Sequence, residues 1–531
     1  MFWADRVVSE IKQKYQQKIA SGEPLVIRDE KTASGRVHIG SMRGVAIHGA
    51  VAEILATEGI STRFLYEIND FDPMDGLPVY LDEKIFRPHM GKPLCNVPSP
   101  DSEAKNFAEY FGNEFKAVIE RAGFAPEFYL SSEVYKAGKY NEVIRIALEN
   151  AAKIREIYKK VSGAVKPEDW MPLHVVCEHC GKLGTTKVIS FDGDLVEYVC
   201  EPHLVKWAEG CGHRGKISPF DGNAKFPWKV EWAAKFRVFN VSVEGAGKDH
   251  STRGGARDIA NHIAREVFGY EPPFDIPYEF FLVDGKKMSS SKGAGSSSKE
   301  ISDLLPPQLF RFLLLSKDPK RVIDFLPDGD TIPLLYDLYD KYAESFFAGQ
   351  DDDYARAFLL AHASQKQSDI VKRFFPRFSL VAFLVQMPHM DFESEIKKLK
   401  GGDLSEADLA EAQERAHYAK HWLEGYAPES YRYTLQTETV PESAQHFSAE
   451  QKKALRLVLN FIQNKETLSG EELHAELHGL KEQSSLPPKE FFGALYLSFL
   501  GKESGPKAGW FLSVLPKAFL EQRLQEVTKE E

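Results

Sequence analysis

The sequence predicts an α/β protein in which a parallel-sheet part is split by an insertion and followed by a helical C-terminal part. An apolar run at residues 24–27 leads into a glycine-containing turn, and apolar residues then recur at helical spacing up to Gly59. A second apolar run at residues 63–68 continues this strand–helix–strand order. From residue 301 onward the apolar patterns are helical.

The turn after the first predicted strand, Thr32–Ser41, is the first candidate site. It carries His38 onto the first turn of a helix, where backbone N–H groups and the helix dipole favour phosphate. Gly35 and Gly40 lack a Cβ, so a ligand can approach the backbone closely. Turns of this kind also occur in α/β proteins without a ligand, and His38 could then simply cap the helix or pack.

The second candidate site is a polar stretch, Asp284–Gly293, that contains three lysines and three serines. Lysine ammonium groups can offset the charge that develops as pyrophosphate departs, and serine hydroxyls add hydrogen-bond donors. The alternative interpretation is a solvated linker. A linker does not explain why the apolar run Phe280–Val283 leads directly into the lysines.

These two stretches together resemble the signature pair of the class I aminoacyl-tRNA synthetases. The HIGH motif corresponds to His38–Ser41, and the KMSKS motif corresponds to Lys287–Ser291. There are two departures: Ser41 replaces the second histidine, and Ser290 replaces the second lysine, for which Lys292 is the expected substitute. The resemblance implies a Rossmann-like parallel-sheet catalytic domain that is split by an insertion.

Length and composition agree with a soluble globular protein of several domains. The 531 residues suggest three to four domains, and 43% hydrophobic with 27% charged residues is an ordinary balance. We expect no apolar stretch long enough to span a membrane, and Met1–Arg6 lacks the apolar segment of a signal peptide, so a cytoplasmic protein is expected. The net charge of −11 does not decide on nucleic-acid binding, because a local basic groove can dominate.

An acidic cluster follows the second predicted strand. Its members are Glu67, Asp70, Asp72 and Asp75. Ligands of open α/β sheets bind at the carboxyl ends of the strands, so Asp70 or Asp72 is expected to hold a cationic substrate. The alternative is an acidic loop that is merely solvated.

Four of the five cysteines lie within the predicted insertion, at positions Cys177, Cys180, Cys200 and Cys211. Thiolates at such spacing suit tetrahedral zinc, and four protein ligands would leave no position for an activated water, which indicates a structural ion. His203 or His213 could replace one cysteine ligand, and a redox Cys-x-x-Cys pair is the alternative. Cys95 stands apart and is expected to be an ordinary thiol.

The α/β pattern resumes after the insertion. The segment Glu244–His250 is expected to close a strand, and a helix is predicted at residues 256–267. Asp249 and His250 have the chemistry to hold ribose hydroxyls or an amino group. Trp228 can form an aromatic wall for an aliphatic stem that ends in a cation, although tryptophans also simply pack.

Within class I, the chain is most similar to the class I lysyl-tRNA synthetases. The residues that carry this resemblance are Asp29–Ser41, the cysteine segment, Gly247–His250 and Lys287–Gly293. It implies ATP-dependent activation of lysine, transfer to the terminal adenosine of tRNA(Lys), Mg²⁺ with the ATP, a structural zinc ion, and a monomer. The resemblance covers about residues 20–300 well.

The resemblance and the acidic cluster together assign three sets of residues. The expected catalytic residues are His38, Lys287 and Lys292. ATP is expected at Gly35, His38, Gly40, Ser41, Asp249, Lys287, Met288, Ser289 and Lys292. Lysine is expected at Thr32, Asp70, Asp72, Trp228 and His250.

Three alternatives remain open at this point. Arg28, with Ser34 and His38, also resembles the opening of glutamyl-tRNA synthetases, in which an arginine at that place meets the substrate carboxylate. The acidic cluster and Gly247–His250 favour lysine. A nucleotidyltransferase of the same fold and a non-catalytic RNA-binding relative are the other two alternatives.

The resemblance also implies a division into domains. The expected segments are 1–91 and 227–298 for the two catalytic halves, 92–226 for the zinc-binding insertion, 299–348 for a helical connection to the tRNA stem, and 349–531 for a helical anticodon-binding domain. Long helices are expected at residues 5–19, 103–122, 133–161, 301–315 and 332–347.

Overall fold

Four parallel strands form the central sheet of the protein. The structure is a computed structural model, and it describes residues 1–283, 285, 297–363, 367–387, 390–466 and 469–529. The strands are β1 Leu25–Thr32, β2 Thr62–Asn69, β3 Glu127–Leu130, β4 His174–Val175, β5 Thr186–Phe191, β6 Val196–Cys200, β7 Arg214–Ile217, β8 Ala224–Lys225, β9 Val241–Val243, β10 Phe281–Val283 and β11 Ile323–Phe325. The central sheet has the order β3-β2-β1-β9.

The direction in which the chain adds strands reverses at β1. The chain places β2 and β3 on one side of β1, and it returns to place β9 on the other side. Strand β1 begins with buried Leu25–Ile27, as expected for a strand that is covered on both faces. The carboxyl ends of strands at such a reversal form a crevice that binds ligands. This sheet confirms the predicted α/β fold class.

Packing divides the described residues into two compact units. The first lies within Met1–Phe325 and Tyr342–Gln365, and the second lies within Leu326–Lys341 and Lys366–Glu531. The helices up to residue 325 are α1 Trp3–Lys14, α2 Gln16–Ala20, α3 Met42–Thr57, α4 Glu83–Phe86, α5 Phe107–Arg121, α6 Ser131–Lys136, α7 Asn141–Glu149, α8 Ala151–Ser162, α9 Trp228–Val238, α10 Lys248–Ser251, α11 Ala256–Glu266, α12 Ser298–Asp303 and α13 Pro307–Leu315.

The C-terminal region is helical, as predicted. Its helices are α14 Thr331–Phe347, α15 Asp353–Ala361, α16 Phe378–Leu384, α17 Phe392–Lys400, α18 Glu406–Gly425, α19 Ala449–Gln463, α20 Gly470–Ser484, α21 Pro488–Leu500, α22 Ala508–Ser513 and α23 Lys517–Thr528. Gly401 ends α17 in the left-handed conformation, and Pro487 and Pro488 begin α21.

Three long helices predicted from the sequence are interrupted in the structure. Residues 5–19 form α1 and α2, which meet at Tyr15. Residues 133–161 form parts of α6, α7 and α8, because Gly138 has a φ of +70° and ends the first of them. Residues 301–315 belong to α12 and α13, with Pro306 at the cap of α13. Helix α5 and helix α14 confirm the other two predictions.

The insertion contributes two small antiparallel sheets. Strands β5, β6 and β7 form one sheet, and β4 and β8 form the other. Cys200 ends β6, and Lys225 lies in β8 immediately before the chain returns to the central domain. The Leu94 N–H donates to the Asp72 carbonyl at 2.9 Å, and the Lys225 ammonium lies 2.8 Å from the Asp72 carboxylate, so the insertion begins and ends close to the residues that follow β2.

One helical segment corrects an expectation about membranes. Among the described residues, Ile39–Thr57 is long and apolar enough to cross a membrane, so the expectation that no such stretch exists is wrong. Within this helix, 78% of the 18-residue stretch that meets the hydropathy criterion is buried inside the protein, as in the core helix of a soluble protein. The segment contains α3, which packs against β1 and β2.

Candidate active site

A cavity of about 890 Å³ lies at the carboxyl ends of β1 and β2. It brings together five of the residues that the sequence singled out: Thr32, His38, Asp72, Trp228 and His250. Further lining residues come from the insertion. The cavity therefore joins the strand ends of the sheet to the inserted segment.

Eight charged side chains form an ion-pair network beside this cavity. Three are cations and five are carboxylates: Arg28, Lys225 and Lys235, and Glu30, Glu67, Asp72, Glu231 and Glu244. When all eight are ionised, the carboxylates exceed the cations by two. Only Glu30 and Asp72 of these side chains keep substantial exposure, at 32% and 25%, and both line the cavity. The excess negative charge therefore borders the cavity and favours a cationic ligand.

Arg28 lies at the centre of this network and is fully buried. Its Nε donates to the Tyr129 hydroxyl at 2.8 Å, and Nη1 donates to both carboxylate oxygens of Glu244 at 3.1 Å. Nη2 donates to Glu67 at 2.6 Å and to Glu30. A guanidinium group has five N–H donors, and all five are used here. Arg28 is therefore not available to a substrate carboxylate, in contrast to the role implied by the glutamyl-type resemblance.

Asp72 connects the first strand to the network. The Thr32 hydroxyl donates to Asp72 Oδ2 at 2.8 Å, and the Lys225 ammonium lies 2.8 Å from Oδ1. Burial alone would raise the pKa of Asp72, but Lys225 and the hydrogen bond from Thr32 lower it overall. Asp75 also lines the cavity, and burial followed by the Asp72 charge raises its pKa. A bound cation would relieve this repulsion between the two carboxylates.

Asp70 does not lie with the other predicted residues. Its Oδ1 accepts hydrogen bonds from the Ser131 hydroxyl at 3.0 Å and from the Ser132 backbone N–H at 2.8 Å. It is buried, and it lines a separate cavity of about 260 Å³. The Asp70 carboxylate thus accepts hydrogen bonds from the N-terminal turn of α6, where backbone N–H groups have no partner within the helix. This contact explains why the carboxylate is directed away from the larger cavity.

Aromatic rings form one wall of the larger cavity. Trp228 begins α9 after Pro227 and remains 48% exposed. Its ring centroid lies 6.0 Å from that of Trp232 and 5.6 Å from that of His250. The Trp232 ring is held in place by a hydrogen bond, because its indole N–H donates to the Glu244 carboxylate at 2.6 Å. The wall is therefore anchored to the same network as Arg28.

The turn that carries His38 is tightly packed. A Cβ at Gly40 would lie 2.8 Å from His38 Nδ1, so a larger residue at position 40 would displace this ring. Gly35 has a φ of +151°, which also favours glycine. Ser41 closes the turn, because its N–H donates to the His38 carbonyl at 3.1 Å. Asp249 lies on α10 and is exposed, and it is absent from the cavity lining.

Lys287, Met288, Ser289 and Lys292 lie outside the described residues, but both flanks of their segment meet the His38 turn. On one side, a Cβ at Gly40 would lie 3.6 Å from the carbonyl oxygen of Phe281 in β10. On the other side, His38 forms an antiparallel bridge with Ser297. The Ser298 N–H donates to the Val37 carbonyl at 2.8 Å. The described residues on both sides of this segment, Phe281 and Ser297, therefore lie beside the His38 turn.

The four predicted cysteines of the insertion form a cluster. The Sγ atoms of Cys177, Cys180, Cys200 and Cys211 all lie within 4.8 Å of one another. Two of the pairs are 3.7 Å apart. Tetrahedral zinc with bonds of 2.3 Å sets its sulfurs about 3.8 Å apart, so the arrangement fits a bound metal ion. In the part of the chain that the structure describes, the cluster consists of these four cysteines, without His203 or His213.

A family model described as tRNA synthetases class I (K) matches residues 1–367. The chain belongs to this family. The match includes both signature stretches and the cysteine cluster. It confirms the resemblance to class I synthetases.

Relatives of this class I tRNA synthetase extend over its whole length. The chain is 34% identical to the lysine–tRNA ligase of Methanosarcina barkeri (strain Fusaro / DSM 804), over 99% of this chain and 97% of that protein. It is 31% identical to the lysine–tRNA ligase of Thermoplasma acidophilum, over 100% and 99% of the two chains. A solved glutamate tRNA ligase from Elizabethkingia meningosepticum is similar with 14% identity and a TM-score of 0.39, over 95% and 99% of the chains.

Most of the ion-pair network in this class I tRNA synthetase was not apparent from its sequence. Glu30, Lys225, Glu231, Lys235 and Glu244 were not singled out. A usable signal exists in retrospect, because charged residues directly follow the apolar run of β1 and interrupt the apolar pattern of α9. Buried charges in such positions need partners, and in this chain the partners are one another.

Proposed function

We propose that this chain is a lysine–tRNA ligase. It would activate lysine with ATP and transfer the lysyl group to the 3′-terminal adenosine of tRNA(Lys). The names of its full-length relatives support this substrate. The observation that carries the proposal is the cavity itself, in which carboxylates exceed cations beside an exposed tryptophan.

Lysine has a chemistry that suits this cavity. Its ammonium group would lie near Glu30 and Asp72, where the excess negative charge is exposed. Its aliphatic stem would pack against Trp228, with His250 beside it, and an ammonium near these rings gains a cation–π attraction. The proposed lysine-binding residues are therefore Thr32, Asp72, Trp228 and His250. Asp70 is omitted because α6 already occupies its carboxylate.

The saturation of Arg28 disfavours glutamate as the substrate. A glutamate side chain would bring a carboxylate into a region that already has excess negative charge. The one arginine placed to meet it has all five donors engaged. Binding would require breaking buried hydrogen bonds to charged groups, each of which is worth about 1.5–3 kcal/mol.

The first chemical step joins lysine to AMP. A carboxylate oxygen of lysine attacks the α-phosphorus of ATP, and the bond to the β-phosphate oxygen breaks as pyrophosphate leaves. His38 would contact the phosphates, and the backbone of the turn at Gly35, Gly40 and Ser41 would contribute to the ATP contact. Asp249 would hold ATP through its ribose. Mg²⁺ bound with ATP would offset the charge of the phosphates.

The segment of the second signature would act on the leaving group. Lys287 and Lys292 would stabilise the negative charge that develops on pyrophosphate, with Met288 and Ser289 contributing to the ATP contact. Its two flanks support this assignment because both lie beside His38. In the second step a hydroxyl of the terminal adenosine, the 2′-hydroxyl by analogy with class I, attacks the lysyl carbonyl carbon and AMP leaves.

The cysteine cluster would hold one structural zinc ion. Its four thiolates would complete a tetrahedron, so no open position remains for catalytic water. We assign residues 1–91 and 227–298 to catalysis, 92–226 to the insertion, 299–348 to stem contact and 349–531 to anticodon binding. The enzyme would work as a cytoplasmic monomer.

Replacing Cys180 with serine is expected to remove the metal. The wild-type chain should contain about one zinc ion, measured by elemental analysis after dialysis, and the variant should contain far less because one thiolate is lost. Cys95→Ser is the matched control. Cys95 lies outside the cluster, and burial, with Asp70 next, raises the pKa of its thiol to about 11. Equal metal loss in both variants, or a wild-type chain without metal, would contradict the assignment.

The proposed function is tested by aminoacylation of bulk tRNA with each labelled amino acid, with and without ATP. We expect charging with lysine that depends on ATP. Charging with glutamate would overturn the interpretation of the ion-pair network. Adenylate formation without charging would indicate a nucleotidyltransferase, and tRNA binding without either reaction would indicate a non-catalytic relative.

A further inference from the structure

His48 of α3 contacts two other segments of the protein through its ring. The ring is fully buried. Its Nδ1 lies 3.1 Å from Oδ2 of Asp29 in β1, and its Nε2 accepts a hydrogen bond from the Gly245 N–H at 2.7 Å. Gly245 follows β9 and is buried as well. The contact therefore ties α3 to β1 and to the end of β9, and none of the three residues belongs to the sets proposed to contact lysine or ATP.

The two contacts define where the imidazole ring carries its proton. Because Nε2 of His48 accepts the Gly245 N–H, this nitrogen carries a lone pair and no proton. The proton of the neutral ring then lies on Nδ1, which donates to the Asp29 carboxylate. Asp29 therefore holds the ring in the tautomer that can accept from Gly245.

The Gly245 N–H depends on a side chain for its acceptor. One residue earlier, the Glu244 N–H donates to the Phe274 carbonyl at 3.1 Å, whereas the Gly245 N–H donates to His48. A Cβ at Gly245 would lie 2.3 Å from the Ile276 carbonyl oxygen, so the backbone here is closely packed. If this buried N–H lost its acceptor, the segment would have to shift to pair it again.

The backbone at Gly245 lies between two parts of the candidate active site. Just before it, the Glu244 carboxylate accepts the indole N–H of Trp232 in the aromatic wall at 2.6 Å. Just after it, the chain enters α10, which carries His250. His250 lines the cavity, whereas the described lining residues do not include His48. A shift at Gly245 would therefore move groups of the site without changing those groups themselves.

We propose that His48 is a positioning residue for lysine activation: it fixes the backbone at Gly245 and thereby the place of His250 in the cavity. Asp29 serves this role by holding the His48 ring in the accepting tautomer. The inference rests on the proposed function, in which His250 contacts lysine. Because the His48 ring is fully buried, it acts on the affinity for lysine through the backbone and not by touching the substrate.

Two substitutions of His48 separate its two hydrogen bonds. His48→Gln places an amide oxygen near the position of Nε2, so an acceptor for Gly245 is kept. His48→Asn places its amide near the position of Nδ1, so a donor to Asp29 is kept and the acceptor for Gly245 is lost. The KM for lysine, measured by ATP–pyrophosphate exchange with tRNA present, should rise about tenfold in His48→Asn, as for one unpaired buried donor. In His48→Gln it should stay close to the wild-type value, and kcat should change less than KM in both variants.

Asp29→Asn tests the tautomer with almost no change of shape. Asp29 Oδ1 accepts the Glu30 N–H at 2.8 Å, so the amide oxygen of the variant should keep that place. Its amide nitrogen then replaces Oδ2 and donates to His48 Nδ1, which moves the ring proton to Nε2, against the Gly245 N–H. The KM for lysine should rise as in His48→Asn. This result decides the question even if His48→Asn does not fold.

Amide hydrogen exchange follows the same segment without any substrate. Peptides that cover residues 244–250 should exchange faster in His48→Asn than in the wild type or in His48→Gln, because the Gly245 N–H has lost its acceptor. Failure of the wild type to activate lysine would overturn the proposed function. The exchange rates would then decide by themselves whether His48 fixes this segment.

His362→Asn is the matched control. His362 is a buried histidine next to α15, with Nδ1 2.9 Å from the Phe358 carbonyl oxygen, and it lies outside the described cavity lining. Its loss should leave the KM for lysine unchanged. A wild-type KM in His48→Asn would overturn the inference. Equal rises of KM in His48→Asn and His48→Gln would overturn it too, because they would report lost packing of the ring and not the hydrogen bond.

Discussion

Lys287→Ala is expected to slow lysine activation by about 10²- to 10³-fold. Losing one preorganised charged contact to a transition state costs about 2.7–4 kcal/mol. Lys287 belongs to the segment whose flanks meet the His38 turn, which would place its ammonium near the phosphates. Because this charge acts on the departing pyrophosphate, the affinity for lysine should remain nearly intact.

The measurement is ATP–pyrophosphate exchange with lysine, in the presence of tRNA. Lys299→Ala is the matched control, because Lys299 follows the same segment but is exposed and pairs with Asp303 on its own helix. That control should exchange at close to the wild-type rate. Unchanged turnover in Lys287→Ala would remove this segment from the mechanism.

Arg28→Met is expected to lower the free energy of unfolding by about 3–5 kcal/mol. Removing one partner of a buried ion pair leaves the remaining charges without compensation. Glu67 and Glu244 would lose a direct partner, and their side chains are 0% and 4% exposed. Methionine fills much of the same volume, so the loss reports the charge more than a cavity.

Thermal and urea unfolding measure this effect. Arg63→Met is the matched control on the same sheet, because Arg63 in β2 pairs with Glu127 and both side chains are about half exposed. Such a surface pair contributes at most about 1 kcal/mol. If both variants were destabilised equally, the ion-pair network would not have the structural role inferred for Arg28.

Much of the candidate site could be predicted because its backbone is local in sequence. The run at residues 24–27, the turn with Gly35 and Gly40, and the helical spacing up to Gly59 are all within about forty residues. Each follows from conformational preferences of neighbouring residues. The interruptions of the predicted helices were missed because apolar periodicity continues across Gly138, where the backbone turns.

The sequence by itself determined the fold class, the order of the two signature stretches, and the four cysteines that meet in one cluster. Only the tertiary structure decided that Asp72 borders the cavity while Asp70 accepts a hydrogen bond from the N-terminal turn of α6. Only the tertiary structure, likewise, decided that Tyr129 and three carboxylates use all the donors of Arg28. The physical reason is distance along the chain: Arg28 meets Glu67 and Glu244 from positions 39 and 216 residues away. Local preferences set each turn and strand, but the pairing of buried charges depends on which distant segments the folded chain brings together.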